Sequence, residues 1–115
     1  MTYYDLFLAP VPSGNREKYL DFAKNMDPIF KEYGALSVTD CWGSDVPEGK
    51  VNSLHTAVLR EEGEEVVFGF IKWESKAARD AGWEKAMADE RMAGGEMPFD
   101  GKRMIFGGFD QIFEI

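Results

Sequence analysis

At 115 residues and 13.0 kDa the chain has room for one domain of ordinary size and not two. It sets 13 Lys and Arg against 21 Asp and Glu, a formal charge of -8, which excludes the clustered cationic surface that nucleic acid or an anionic membrane requires. With 44% hydrophobic and 14% aromatic residues there is material for a packed core, which excludes wholesale disorder. The single cysteine, Cys41, rules out an internal disulfide and leaves no thiolate cluster for zinc. Met1 to Pro12 has no positive n-region, and no segment nears the roughly 20 apolar residues of a membrane span. A soluble, cytoplasmic protein is the expectation.

Tyr3 to Ala9 reads as a first strand, rich in bulky β-formers and closed by Pro10 and Pro12. Ser13-Gly14-Asn15 offers N-capping side chains for a helix in which Tyr19, Phe22, Ala23, Met26, Ile29, Phe30 and Tyr33 share one face. Pro28 should kink that helix, or restart it with Asp27 as a local cap, and Gly34 should end it. Leu36 to Trp42 is a second strand, followed by a polar loop and a further extended piece from Leu54 to Val58. Glu61 to Glu65 turns tightly around Gly63, and Val66 to Trp73 is the strongest strand in the chain. Ser75 caps a second helix, Lys76 to about Asp89, thin on its packing side because of Ala77, Ala78, Ala81 and Gly82. Gly94 to Gly101 is loop, and Arg103 to Ile115 is the last strand.

The order β-α-β-β-α-β is that of an α+β, ferredoxin-like sandwich, an antiparallel sheet with two helices on one face. The residue faces add a constraint. Val66, Phe68 and Phe70 point one way along the strong strand, and Val67, Ile71 and Trp73 point the other. In the last strand Met104, Phe106 and Ile112 oppose Ile105, Phe109, Phe113 and Ile115. Two helices cover only one such face, so the other calls for a partner sheet. A homodimer packed through its open sheet faces is therefore expected.

Gly34-Ala35, Cys41 followed by Gly43, Asp45-Val46-Pro47 with Gly49, and Arg79-Asp80 form a set with the phrase Met97-Pro98-Phe99-Asp100-Gly101-Lys102-Arg103-Met104 and Gly107-Gly108-Phe109. Together they resemble the YbaA-like bacterial family of unknown function, over nearly the whole chain. The resemblance implies the dimeric α+β barrel superfamily, in which two ferredoxin-like sheets pack into a barrel. It implies no established reaction.

Chemistry-bearing residues are few. Cys41 and His55 are the only Cys and His, and a catalytic pair would need them adjacent. Each also has a plainer role, Cys41 as a small core hydrophobe and His55 as a hydrogen-bonding group. Asp40, Asp45 and Glu48 match no metal spacing, so neither a metal nor a cofactor is expected. Arg103 with Asp100 could orient an anion or pin the loop as an ion pair, the simpler role. Gly107 and Gly108 point to close approach by the second helix, and the Glu61 to Glu65 turn to a solvated hairpin tip.

The leading expectation is a small apolar or aromatic ligand held between sheet and helices by Phe7, Phe22, Phe68, Phe70 and Trp73, with Cys41 nearby. Asp40, His55 or Arg103 would stand at the mouth as the polar, candidate catalytic groups. One alternative is a cofactor-independent, monooxygenase-like enzyme acting on aromatic substrates, an analogy at the level of the fold. The other is an acidic module that meets a basic protein.

Overall fold

The computed structural model describes residues 1–94 and 96–115; Gly95, within the loop expected from Gly94 to Gly101, lies outside them. The elements are β1 (Tyr3–Pro12), a 3-10 turn at Ser13–Asn15, α1 (Arg16–Glu32), β2 (Ser37–Trp42), α2 (Leu54–Ala57), β3 (Glu64–Trp73), α3 (Lys76–Met87), a second 3-10 turn at Glu90–Met92, and β4 (Ile105–Asp110). The strands form one antiparallel sheet in the order β2-β3-β1-β4. This is the ferredoxin-like arrangement, with both long helices on one side.

Register sets the two faces. Tyr3 pairs with Trp73, Asp5 with Ile71, Phe7 with Gly69 and Ala9 with Val67, and the alternation of side chains puts all of these under the helices. The core there joins Tyr3, Ile71 and Trp73 to Ile29 and Phe30 of α1, Ala35, and Ala86 of α3. Tyr4, Leu6 and Leu8 of β1 lie on the other face with Phe68 and Phe70 of β3, Cys41 of β2, and Ile105 and Phe109 of β4. On that face Phe68, Ile105 and Phe109 are exposed, while Pro10 and Val66 at one end of it are buried.

Several local expectations change. Pro28 neither breaks nor restarts α1, which runs through it; burial of Ile29 and Phe30 outweighs the missing N–H. Asn15 does not cap the helix with its side chain, which instead donates to the Pro98 carbonyl at 2.9 Å. Leu54 to Val58 is not extended. Ser53 Oγ accepts from the Thr56 amide while Thr56 Oγ1 accepts from the Ser53 amide, both at 3.0 Å, and this reciprocal cap winds Leu54–Ala57 into a helical turn. Strand β4 ends at Asp110; beyond it Gln111 still donates to Thr2, while Ile112, Phe113 and Ile115 are exposed. Gly34, at φ +112, ends α1 as expected, and Ser75 caps α3 through the Ala78 amide at 3.0 Å.

Two glycines are explained by aromatic neighbours. A Cβ on Gly82 would strike the Trp73 ring and lie 2.9 Å from the Tyr33 carbonyl, so glycine lets α3 settle onto that indole. A Cβ on Gly108 would meet the Tyr3 ring and hydroxyl, so this strand glycine makes room for Tyr3 and not for the second helix.

One carboxylate fastens α3 to the sheet. Asp5 Oδ2 accepts from Trp73 Nε1 at 2.9 Å and from Trp83 Nε1 at 2.8 Å, while Oδ1 accepts from Arg79 Nε and Nη2, each at 2.9 Å. Arg79 also lies over the Tyr3 ring, 5.3 Å from its centre. Removing a largely buried acceptor strands every donor that faced it. Asp5→Ala is therefore expected to cost ~2–4 kcal/mol, read as a lower urea midpoint at unchanged slope.

Candidate functional site

Helix α1 brings Tyr19, Ala23 and Asp27 into line, each one turn from the next, on the side that meets β2. Asp40 of β2 points up between them. Tyr19 Oη donates to Asp40 Oδ1 at 2.7 Å, and Asp27 lies near enough for Asp40 to bear on its carboxyl. The floor beside Asp40 is Gly69, directly across from it in β3, and Phe7, across from Gly69 in β1. A Cβ on Gly69 would strike the Phe7 ring and stand 3.0 Å from Asp40 Oδ1, so glycine here lets the ring lie flat next to the carboxylate. Aromatic groups wall the site: Trp42, Phe22 and Phe99 have ring centres 6.4, 6.3 and 6.0 Å from that of Tyr19.

Two carboxyl groups and a phenol in one half-buried place cannot all ionise. Burial, then the hydrogen bond and charge of Asp40, push Asp27 up to about 8. Burial and the same carboxylate raise Tyr19 above the ordinary phenol range. Asp27 is thus held toward its neutral form beside Asp40, to which Tyr19 donates. Such an arrangement holds a proton that a bound ligand could take or return.

The residues expected to form one pocket are divided by the sheet. Phe7 and Trp73 lie under the helices, and Phe22 packs edge-on against Phe99 at 6.0 Å on the same side. Phe68, Phe70 and Cys41 lie on the opposite face, where Phe68 and Phe70 stack at 6.1 Å and Tyr4 leans on Phe70. The five aromatic residues therefore do not line one cavity. His55 sits on α2, on the wall of a hollow of about 600 Å³ lined by polar loop residues including Lys50, Ser53 and Arg60. Among the described residues no hydrogen bond joins it to Cys41.

Arg103 is committed elsewhere. Its guanidinium donates to both oxygens of Glu64 at 2.7 Å, to Asp100 Oδ2 at 3.0 Å and to the Leu59 carbonyl at 2.9 Å. The Arg103–Asp100 pair is thus structural, with Glu64 as the larger partner. Glu64 is accordingly buried and held below the usual carboxylate range by Arg103, which corrects the picture of a wholly solvated acidic turn. That turn leads from α2 into β3 and is no hairpin tip. Among the described residues, no three His, Cys, Asp or Glu side chains converge as a metal site would need, and no helix is long and apolar enough to cross a membrane.

Of the sequence candidates only Asp40 reaches this site together with Phe7 and Phe22. Asp27 and Tyr19 were visible in the sequence in other roles, as a cap and as core. The signal for Asp27 was there to read: a carboxylate two turns from Tyr19 on an otherwise apolar helix stripe.

The sequence relatives are uncharacterised, and the solved structures that superpose share the fold alone. The chain is 50% identical over 116 residues to the uncharacterised protein YbaA of Escherichia coli K12, covering 99% of each, and equally to YbaA of Shigella flexneri. Among solved structures, a dimeric ferredoxin-like protein from an uncultured marine organism superposes with a TM-score of 0.64 at 9% identity, covering 99% of this chain and 98% of that one. A Bacillus cereus protein, provisionally assigned as an antibiotic biosynthesis monooxygenase, superposes at 0.61 with 14% identity, covering 99% and 96%. The family described as "Protein of unknown function (DUF1428)" matches residues 2–101. The chain belongs to this DUF1428 family, alongside YbaA.

Proposed function

We propose that the protein works as a homodimer whose two open sheet faces pack together, each subunit taking a small aromatic or apolar ligand under its helices beside Asp40. The observation that carries the dimer is the uncovered face itself. Tyr4, Leu6, Leu8, Phe68, Phe70, Ile105 and Phe109 share one apolar face across three strands, with Phe68, Ile105 and Phe109 exposed on it. A second copy brings an identical apolar sheet, and face-to-face packing at ~10 Å buries both. A stable interface needs on the order of 800 Å² from each partner. The dimeric ferredoxin-like neighbour supports this assembly by analogy of fold.

The ligand reading rests on the proton-holding carboxyl pair walled by Tyr19, Phe22, Trp42 and Phe99. Rings of this kind suit a flat apolar body, and Asp40 with Asp27 suits one hydroxyl on it. The Bacillus cereus likeness lends the monooxygenase alternative a shared fold and nothing finer.

Sedimentation at micromolar concentration should give a dimer for the wild type and a monomer for Phe68→Glu, which places charge at the centre of the face. A monomeric wild type refutes the assembly. Hydroxylated aromatic compounds are expected to raise the unfolding temperature of the wild type, by an amount equivalent to ~2.7 kcal/mol at a hundredfold excess over Kd. Asp40→Asn should lose that rise. Oxygen uptake with a bound compound, also lost in Asp40→Asn, would favour the enzyme; a panel without any shift removes the ligand reading.

A further inference from the structure

We infer that the hollow in the connection between β2 and β3 binds the phosphate group of a small organic ligand. At about 600 Å³ it has the size of a small-molecule site, and residues 48–60 supply its whole lining. It shares no lining residue with the Asp40 site, so the two readings stand or fall separately. Charge singles it out. In a protein of net charge -8, its wall carries Lys50, Arg60 and the chain's single histidine, His55, against one carboxylate, Glu48. A concavity of that sign gathers anions that the rest of the surface repels.

The donors on that wall are uncommitted. Elsewhere Arg79 is spent on Asp5, Arg91 on Glu32 and Asp89, and Arg103 on Glu64. Arg60 differs: its Nε donates to the Glu64 backbone carbonyl at 2.6 Å, while the Glu64 carboxylate gives both oxygens to Arg103. Among the described residues the Arg60 Nη groups, the Lys50 ammonium and the His55 imidazole have no hydrogen-bond or ion-pair partner. The backbone holds these groups in place. The Ser53–Thr56 cap winds the turn that carries His55, and the Arg60 amide donates to the His55 carbonyl at 3.0 Å. Between them Leu59 stands at φ +52, a strained conformation for leucine, with its carbonyl held by Arg103 Nη1 at 2.9 Å.

Phosphate fits this set better than carboxylate. A phosphate monoester carries about 1.5 to 2 negative charges near neutral pH, which Lys50 and Arg60 together match. The paired Nη groups of a guanidinium suit two phosphate oxygens, and an ammonium serves a third as a point charge. The hollow is larger than a phosphate alone, so the ligand has an organic body, for which the exposed Val51 and Leu59 side chains offer apolar contact.

The test titrates phenyl phosphate and benzoate into the protein at constant ionic strength, followed by NMR of the backbone amides. Phenyl phosphate should shift the amides of residues 48–60 saturably, inorganic phosphate should displace it, and benzoate should bind roughly tenfold more weakly or worse. Lys50→Gln and Arg60→Gln should each weaken phenyl phosphate roughly tenfold. Lys24→Gln, which removes an exposed lysine of α1, should bind as the wild type does. Lys50 is exposed and makes no side-chain bond among the described residues, so its variant decides the matter should Arg60→Gln fail to fold. No saturable shift up to ~10 mM overturns the site. So do shifts scattered over the surface lysines, benzoate binding as tightly as phenyl phosphate, or unchanged affinity in Lys50→Gln.

Discussion

The central strands β1 and β3 are apolar on both sides, and most of this structure answers that constraint. Ten residue pairs join them, from Tyr3–Trp73 to Pro12–Glu64, and each successive pair changes face. Under the helices the pairs bury Tyr3, Ile71, Val67 and Trp73; on the far side they leave Leu6, Leu8, Phe68 and Phe70 without a layer above them. A sheet with one covered face is half of a sandwich. The proposed dimer supplies the other half from an identical chain, which is the least demanding source of a matching surface.

Two of the acidic groups on the covered face, Asp5 and Asp40, differ in their surroundings in one respect that matters. Asp5 meets two indole N–H groups and a guanidinium, so its charge is balanced where it sits and it acts as a rivet for α3. Asp40 accepts from the Tyr19 phenol with the Asp27 carboxyl near it, and among the described residues no ion pair balances either charge. Both stand on odd or even alternation in a strand, and only the partner helix decides which behaviour results.

Much of the architecture was legible in the chain. Alternating apolar residues located β1 and β3, Gly34 and Ser75 marked helix ends, and the two apolar faces of Val66 to Trp73 raised the need for a partner layer. Local chemistry was harder where signals competed. Leu54 to Val58 has strand-like residues, yet the reciprocal Ser53–Thr56 cap decides for a helical turn. Pro28 signals a break, yet α1 continues across it with its two successors buried. Phe68 and Phe70 match Phe7 and Trp73 in aromatic character, yet the two-residue period puts the two pairs on opposite faces of the sheet.

The sequence by itself determined the element order, the acidic surface and the two-faced sheet, since these depend on composition and on side-chain periods of 2 and 3.6 residues. Only the tertiary structure decided that Tyr19 meets Asp40 across 21 positions of chain, that Arg103 is bound to Glu64 across 39, and that Asp5 gathers Trp73, Trp83 and Arg79. Hydrogen bonds and charge pairs fall off within a few ångströms and carry no periodicity. They can be read only once packing has brought distant segments together.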